Sequence, residues 1–142
     1  MNKGIWMLCI FLSLASCEQG SREPKLAGRW YTQSQLELGK KIYADNCLSC
    51  HNENAHGTPK WRERKPDGNY PPPPLNGTAH AWHHPLKILK KTIEQGGIPL
   101  GGTMPGFGAK LKDEEILAVI SYFQSFWPAD IYGLWIKHGG LN

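Results

Sequence analysis

Three observations predict an all-α chain of three to four main helices joined by long loops. Apolar residues recur at spacings of three and four in separate stretches, the period of a helix face. No stretch reads as a series of strands. With 16 Gly and 11 Pro among 142 residues, the intervals between helices are loop-forming. Charged residues make up 20% and hydrophobic ones 40%, ordinary for a globular protein, and the length suits one domain plus a leader.

The first helix is expected from Ser34 to His51, where Leu36, Gly39, Ile42 and Tyr43 share a face. Ser34 with Glu37 three residues later is a capping-box pattern. Residues 52–78 form a polar, Pro-rich excursion that includes Pro71 to Pro74; a segment this long without a pattern is functional or mobile. The second helix is expected from His84 to Gln95, with Pro85 in its first turn and Gly96-Gly97 ending it. Lys87, Lys90 and Lys91 fall on one of its faces. Residues 98–109 are a Gly-rich loop holding Met104. The clearest helix runs from Asp113 to Trp127 with Ile116, Val119, Ile120 and Phe123 as its apolar stripe. Asp113, Glu114 and Glu115 sit where the helix dipole favours negative charge, and Pro128 stops the helix. In the tail, residues 129–142, a short helix over Ile131 to Ile136 would pack Trp135 on the body.

The start of the chain reads as an export signal. Lys3 precedes an apolar run from Ile5 to Ala15, too short for a bilayer that needs roughly 20 apolar residues. Leu14-Ala15-Ser16-Cys17 resembles a bacterial lipobox, which implies a signal peptide over 1–16 and a lipid on Cys17; the alternatives are an ordinary signal peptide or a small internal helix. Cys9 would leave with the signal. Glu18 in place of Asp favours the outer membrane slightly. Residues 17–32, broken by Pro24 and Gly28, read as a flexible tether. Removing residues 1–16 takes away Lys3 and no acid, so the net charge falls from +4 to +3. This mild excess, without a strongly basic face, points to an acidic docking partner or an anionic surface rather than to nucleic acid.

The chemistry centres on Cys47-Leu48-Ser49-Cys50-His51. Two cysteines three positions apart lie about one helical turn apart, so their thiols can reach two vinyl groups on one haem edge. His51 then meets the iron from the same side, and C-x-x-C-H reads as a c-type haem site. A disulfide or redox pair is the first alternative, although no strand–helix alternation of a thioredoxin-like fold accompanies it. A zinc site is the second, with histidines completing four ligands; a chance match is the third.

Thr103-Met104-Pro105-Gly106-Phe107-Gly108 adds a thioether in a stiff loop about 53 residues after His51. The order helix, Cys-x-x-Cys-His, Pro-Leu, helix, Met-Pro loop, helix resembles class I cytochrome c over residues 33 to 127. The resemblance implies the cytochrome c fold around one covalent haem c in a domain over 33–128, with His51 and Met104 as axial ligands. It implies a proline carbonyl, best matched by Pro73, accepting from the second ring nitrogen of His51, and Leu75 packing on the haem. It also implies that Gly39 and Tyr43 meet Tyr122 or Phe123 where the first and last helices cross. The long 52–74 insertion and the tail after Pro128 depart from small family members.

Trp82 either donates to a haem propionate or is a core aromatic. His56, His80, His83 and His84 read as ligands or as caps and surface groups. Lys87, Lys90 and Lys91 steer an acidic redox partner or form a solvated face; Arg62, Arg64 and Lys65 beside Trp61 touch lipid or partner or line a solvated loop. The expected function is electron transfer between redox proteins, on the periplasmic side of the bacterial envelope, by a lipid-anchored carrier and not an enzyme. The alternative is a haem sensor or peroxidase-like enzyme whose Met104 exchanges; a third is a dedicated subunit of one membrane-bound oxidase or dehydrogenase.

Overall fold

The computed structural model describes residues 23–142; the signal over 1–16, Cys9, Cys17 and the first part of the tether lie outside them. The described residues form five α-helices: α1 (Gln33–Asn46), α2 (Leu48–His51), α3 (Leu86–Gln95), α4 (Asp113–Ser125) and α5 (Ala129–Lys137). Short 3-10 turns lie at Glu53–Ala55, Ala81–His83 and Ile98–Leu100. A lone bridge, Lys25 with Thr32, is the sole β pairing among these residues, so the fold is all-α as expected.

α1 is capped two residues earlier than Ser34 and Glu37 suggest. Thr32 Oγ1 accepts from the Gln35 amide at 3.2 Å, and Gln35 Oε1 accepts from the Thr32 amide at 3.0 Å. The Ser34 amide instead donates to Glu23 at 3.1 Å. The expected single helix to His51 breaks at Cys47, whose amide closes α1 on the Tyr43 carbonyl before α2 begins.

The core is the crossing of α1 with α4. Gly39 makes it possible: a Cβ there would lie 1.9 Å from the Ala118 carbonyl oxygen, so the two backbones touch. Tyr43 packs on Tyr122 with ring centroids 5.1 Å apart, one of the two partners expected. Ile116, Val119, Ile120 and Phe123 are buried as the stripe predicts.

α3 starts after Pro85, which is its cap rather than part of its first turn. The Lys90 ammonium bridges Glu94 at 2.7 Å and Asp113 at 3.1 Å, tying α3 to the start of α4. Of the three lysines expected on one face, Lys87 and Lys91 stay exposed and Lys90 is committed to these ion pairs.

The segment before α1 is not a free leash along its whole length. Tyr31 is buried, the Trp30 indole N–H donates to Gln124 Oε1 at 2.6 Å, and the Arg29 guanidinium lies 4.0 Å from the Tyr132 ring centroid. Aromatic burial fixes residues that composition alone assigns to a tether. α5 is longer than the Ile131–Ile136 expectation and buries Trp135 against Trp127, 5.7 Å apart and nearly perpendicular. Trp135 Nε1 donates to the His84 carbonyl at 2.8 Å, and the Leu86 amide donates to Gly140 at 2.7 Å, so the tail anchors the start of α3. No helix among the described residues is long and apolar enough to cross a membrane.

Gly39→Val forces the crossing apart and is expected to lower stability to denaturant by about 3 kcal/mol. Gly133→Ala on α5, where an added Cβ meets nothing within 4 Å, is expected to raise it by about 0.5–1 kcal/mol.

Candidate haem site

Beside the α1–α4 crossing lies a cavity of about 760 Å³, within the range of about 300–1,000 Å³ typical of cofactor sites. Leu75, Leu89, Val119 and Phe123 give it apolar walls, and Cys47, Cys50, His51 and Met104 all line it. No Asp or Glu of the described chain does.

The short α2 places Cys47, Cys50 and His51 along one wall. The two cysteines are not joined in a disulfide. Burial, helped by the neighbouring Cys50, pushes the Cys47 thiol up to about 11, so it stays protonated at neutral pH. His51 is buried, and its Nδ1 lies 3.0 Å from the Pro73 carbonyl oxygen, which can only accept. Nδ1 therefore carries the proton. Burial lowers the imidazole pKa, with the Pro73 bond acting in the opposite sense, so the ring is neutral. Nε2 is left with its lone pair, the state an iron ligand requires.

Pro73 reaches His51 because the excursion folds back on α2. Asn52, Asn54 and Ala55 take φ of 60°, 52° and 56°, a run of positive φ that redirects the chain after His51. The Gly57 amide donates to the His51 carbonyl at 2.7 Å, Leu75 donates to Ala55 at 2.8 Å, and Thr58 to Pro72 at 2.9 Å. A Cβ on Gly57 would sit 2.3 Å from the Pro73 carbonyl carbon, so the close approach needs glycine. The Tyr43 hydroxyl, its pKa raised by burial, donates to the Asn52 carbonyl at 2.9 Å.

Met104 comes from a loop folded under the end of α3. Its carbonyl accepts from Gly97 at 2.9 Å, and the Phe107 and Gly108 amides donate to Ile93 and Glu94 at 2.9 and 3.1 Å. Leu75 lines the cavity, and its carbonyl accepts from Trp127 Nε1 at 2.7 Å.

Trp82 lies outside the cavity wall: it stacks on His83 at 3.8 Å and packs on the core. The tryptophan that does line the cavity is Trp61, stacked on His80 at 4.9 Å with the Arg62 guanidinium 4.7 Å from its own ring. Arg62, His80 and His84 line the cavity with it. Burial, then His84, His83 and Arg62, lower the His80 pKa. Sequence reasoning had no signal for this rim beyond aromatic and basic residues in a patternless segment. His56 is exposed and its Nδ1 meets the Glu53 carbonyl at 3.1 Å, a local cap.

These residues fit a haem. Two thiols share one wall with a neutral imidazole whose outer nitrogen is occupied, a thioether arrives from a separate loop, and the walls are apolar and free of acids. The zinc reading loses ground, because among the described residues no three His, Cys, Asp or Glu side chains converge.

A helical domain built round such a cavity belongs to the c-type cytochromes. Residues 34–123 match the family described as cytochrome C oxidase, cbb3-type, subunit III; this is more than half of the chain, and the chain belongs to that family. A relative is the cbb3-type cytochrome c oxidase subunit CcoP of Rhodobacter capsulatus, 30% identical over 108 residues, 71% of this chain and 32% of that protein. The chain thus spans about a third of the length of this relative. No solved structure matches. Membership carries a covalently bound haem c with its iron, and haem-based electron transfer.

Gly57→Ala adds a Cβ against Pro73 at a positive φ. It is expected to lower stability by about 2 kcal/mol and to shift the Nδ1 proton resonance of His51 as the Pro73 carbonyl moves.

Proposed function

We propose that the chain is a lipid-anchored, monohaem electron carrier in which Cys47 and Cys50 hold haem c by thioethers and His51 and Met104 are its axial ligands. The observation that carries this reading is the meeting of His51, already oriented by Pro73, and Met104 in one apolar cavity. The bound haem supplies an Fe(III)/Fe(II) couple, and a soft thioether opposite histidine favours the reduced state. His51 keeps its orientation through Pro73, Leu75 and Phe123 exclude water, and His51 and Met104 would hold the iron. A closed iron has no place for substrate, which suits a carrier more than a sensor or peroxidase.

The exposed Lys87 and Lys91 support an acidic docking face on the redox donor and acceptor. The likeness to CcoP supports a partner within an oxidase complex. The lipobox-like Leu14-Ala15-Ser16-Cys17 supports a lipid on Cys17 on the periplasmic side of the envelope, with Glu18 favouring the outer membrane. Packing already begins at Glu23, so the leash from Cys17 reaches at most about 22 Å, at about 3.6 Å per residue.

Spectroelectrochemistry of the mature protein tests the ligands. The wild type is expected to show the near-infrared methionine–iron band, a positive potential, and no carbon monoxide binding when reduced. Met104→Ala is expected to lose the band, drop in potential and bind carbon monoxide. Rapid carbon monoxide binding by the wild type would favour the exchangeable-ligand alternative. Cys17→Ser is expected to move the protein from the membrane to the soluble fraction on cell fractionation; retention in the membrane would sink the anchor.

A further inference from the structure

The excursion over 52–74 is ordered at both ends, and its far end reaches the Met104 loop. A turn over Lys65 to Asn69 is closed by Lys65 donating to Asn69 and Gly68 donating to Lys65, each at 2.9 Å. The Arg64 guanidinium donates to the Gly68 carbonyl and lies 4.2 Å from the centroid of the Tyr70 ring. The Tyr70 amide then donates to the Gly101 carbonyl at 2.8 Å. Gly101 stands at φ +81°, and a methyl placed on it would lie 3.6 Å from the Arg64 guanidinium.

Gly101 belongs to the arc that delivers Met104. Its amide donates to Ile98, Gly102 donates to Gly97, and Gly97 donates to the Met104 carbonyl, at 3.1, 3.0 and 2.9 Å. All of these bonds are local. Among the described residues, the Tyr70–Gly101 bond is the sole backbone hydrogen bond that ties residues 98–103 to another part of the chain. The arc packs little of its own side-chain surface on the protein: Ile98 is 64% exposed, and Leu100 faces the cavity. Met104 itself is tied to the end of α3 through Gly97, Phe107 and Gly108, but the glycine-rich arc over 98–103 that leads into it has one external backbone bond and depends on that bond for its position.

We propose that Arg64 and Tyr70 form a latch that holds the Met104 loop on the cavity and keeps Met104 a fixed ligand. Arg64 stacks on Tyr70 and grips the turn, which presents the Tyr70 amide to Gly101. Both are positioning residues; Tyr70 lines the cavity at its rim and Arg64 lies behind it. The proposal rests on Met104 being the sixth ligand.

The test uses the haem-loaded wild type, Arg64→Ala, Tyr70→Pro and Tyr70→Phe. Tyr70→Pro removes the amide donor; Tyr70→Phe keeps both amide and ring. Arg64→Ala and Tyr70→Pro are expected to weaken the near-infrared methionine–iron band of the ferric protein. They are also expected to raise carbon monoxide association with the ferrous protein about fivefold or more, the change in open population that one lost neutral hydrogen bond supports. Tyr70→Phe is expected to match the wild type, and Arg64→Ala to speed exchange of the Tyr70 amide. Band and carbon monoxide rates equal to the wild type in both disruptive variants would overturn the latch. A wild type without the band would overturn the ligand assignment instead; in that protein, unchanged Tyr70 amide exchange in Arg64→Ala overturns the latch as well.

Discussion

Where Gly39 of α1 lies on the Ala118 carbonyl of α4, two backbones come into contact, and the remainder of the domain is arranged around that contact. A chain this small that gives one side of its core to a haem site of about 760 Å³ has little apolar surface of its own left to pack against itself. The close crossing compensates by packing one face of α4 against α1 while the adjoining residues, Val119 and Phe123, turn toward the cavity. Widening the crossing would move the walls that define the site, so stability and cofactor fit are set by the same glycine.

The site depends on a second close approach. The left-handed path through Asn52, Asn54 and Ala55 costs conformational energy, of order 1 kcal/mol per residue. It is held by Tyr43 from α1 and by Leu75 from the far end of the excursion. The return brings the Pro73 carbonyl to His51 and so decides which ring nitrogen carries the proton. Strain in the loop thus appears as tautomer control at the cavity.

Much of this could be read from residues in order. α4 follows from its apolar stripe, and its burial matches that stripe because a long periodic segment has one way to face a core. The Pro73 contact with His51, expected from the family resemblance, is present because the chain returns past Gly57 closely enough to bring that carbonyl to the ring. Other features depend on contacts distant in sequence. Thr32 and Gln35 cap α1 where Ser34 and Glu37 offered an equivalent pattern, since Ser34 is drawn to Glu23. Trp30 and Tyr31 look like tether residues until Gln124 and Tyr132 are placed beside them. Trp61 and Trp82 cannot be told apart by composition; the fold sends the first to the cavity and the second to His83. Lys90 looks like its neighbours Lys87 and Lys91 until Asp113 arrives from the next helix.

The two ends of the described chain meet on one aromatic cluster. Arg29 and Trp30 enter on Tyr132 and Gln124, and the last residues close on Trp135 through Gly140. Neither residues 23–32 nor residues 128–142 contribute to the cavity wall. Both ends of the described chain therefore lie clear of the cavity wall, so polypeptide joined at either end need not cover the site.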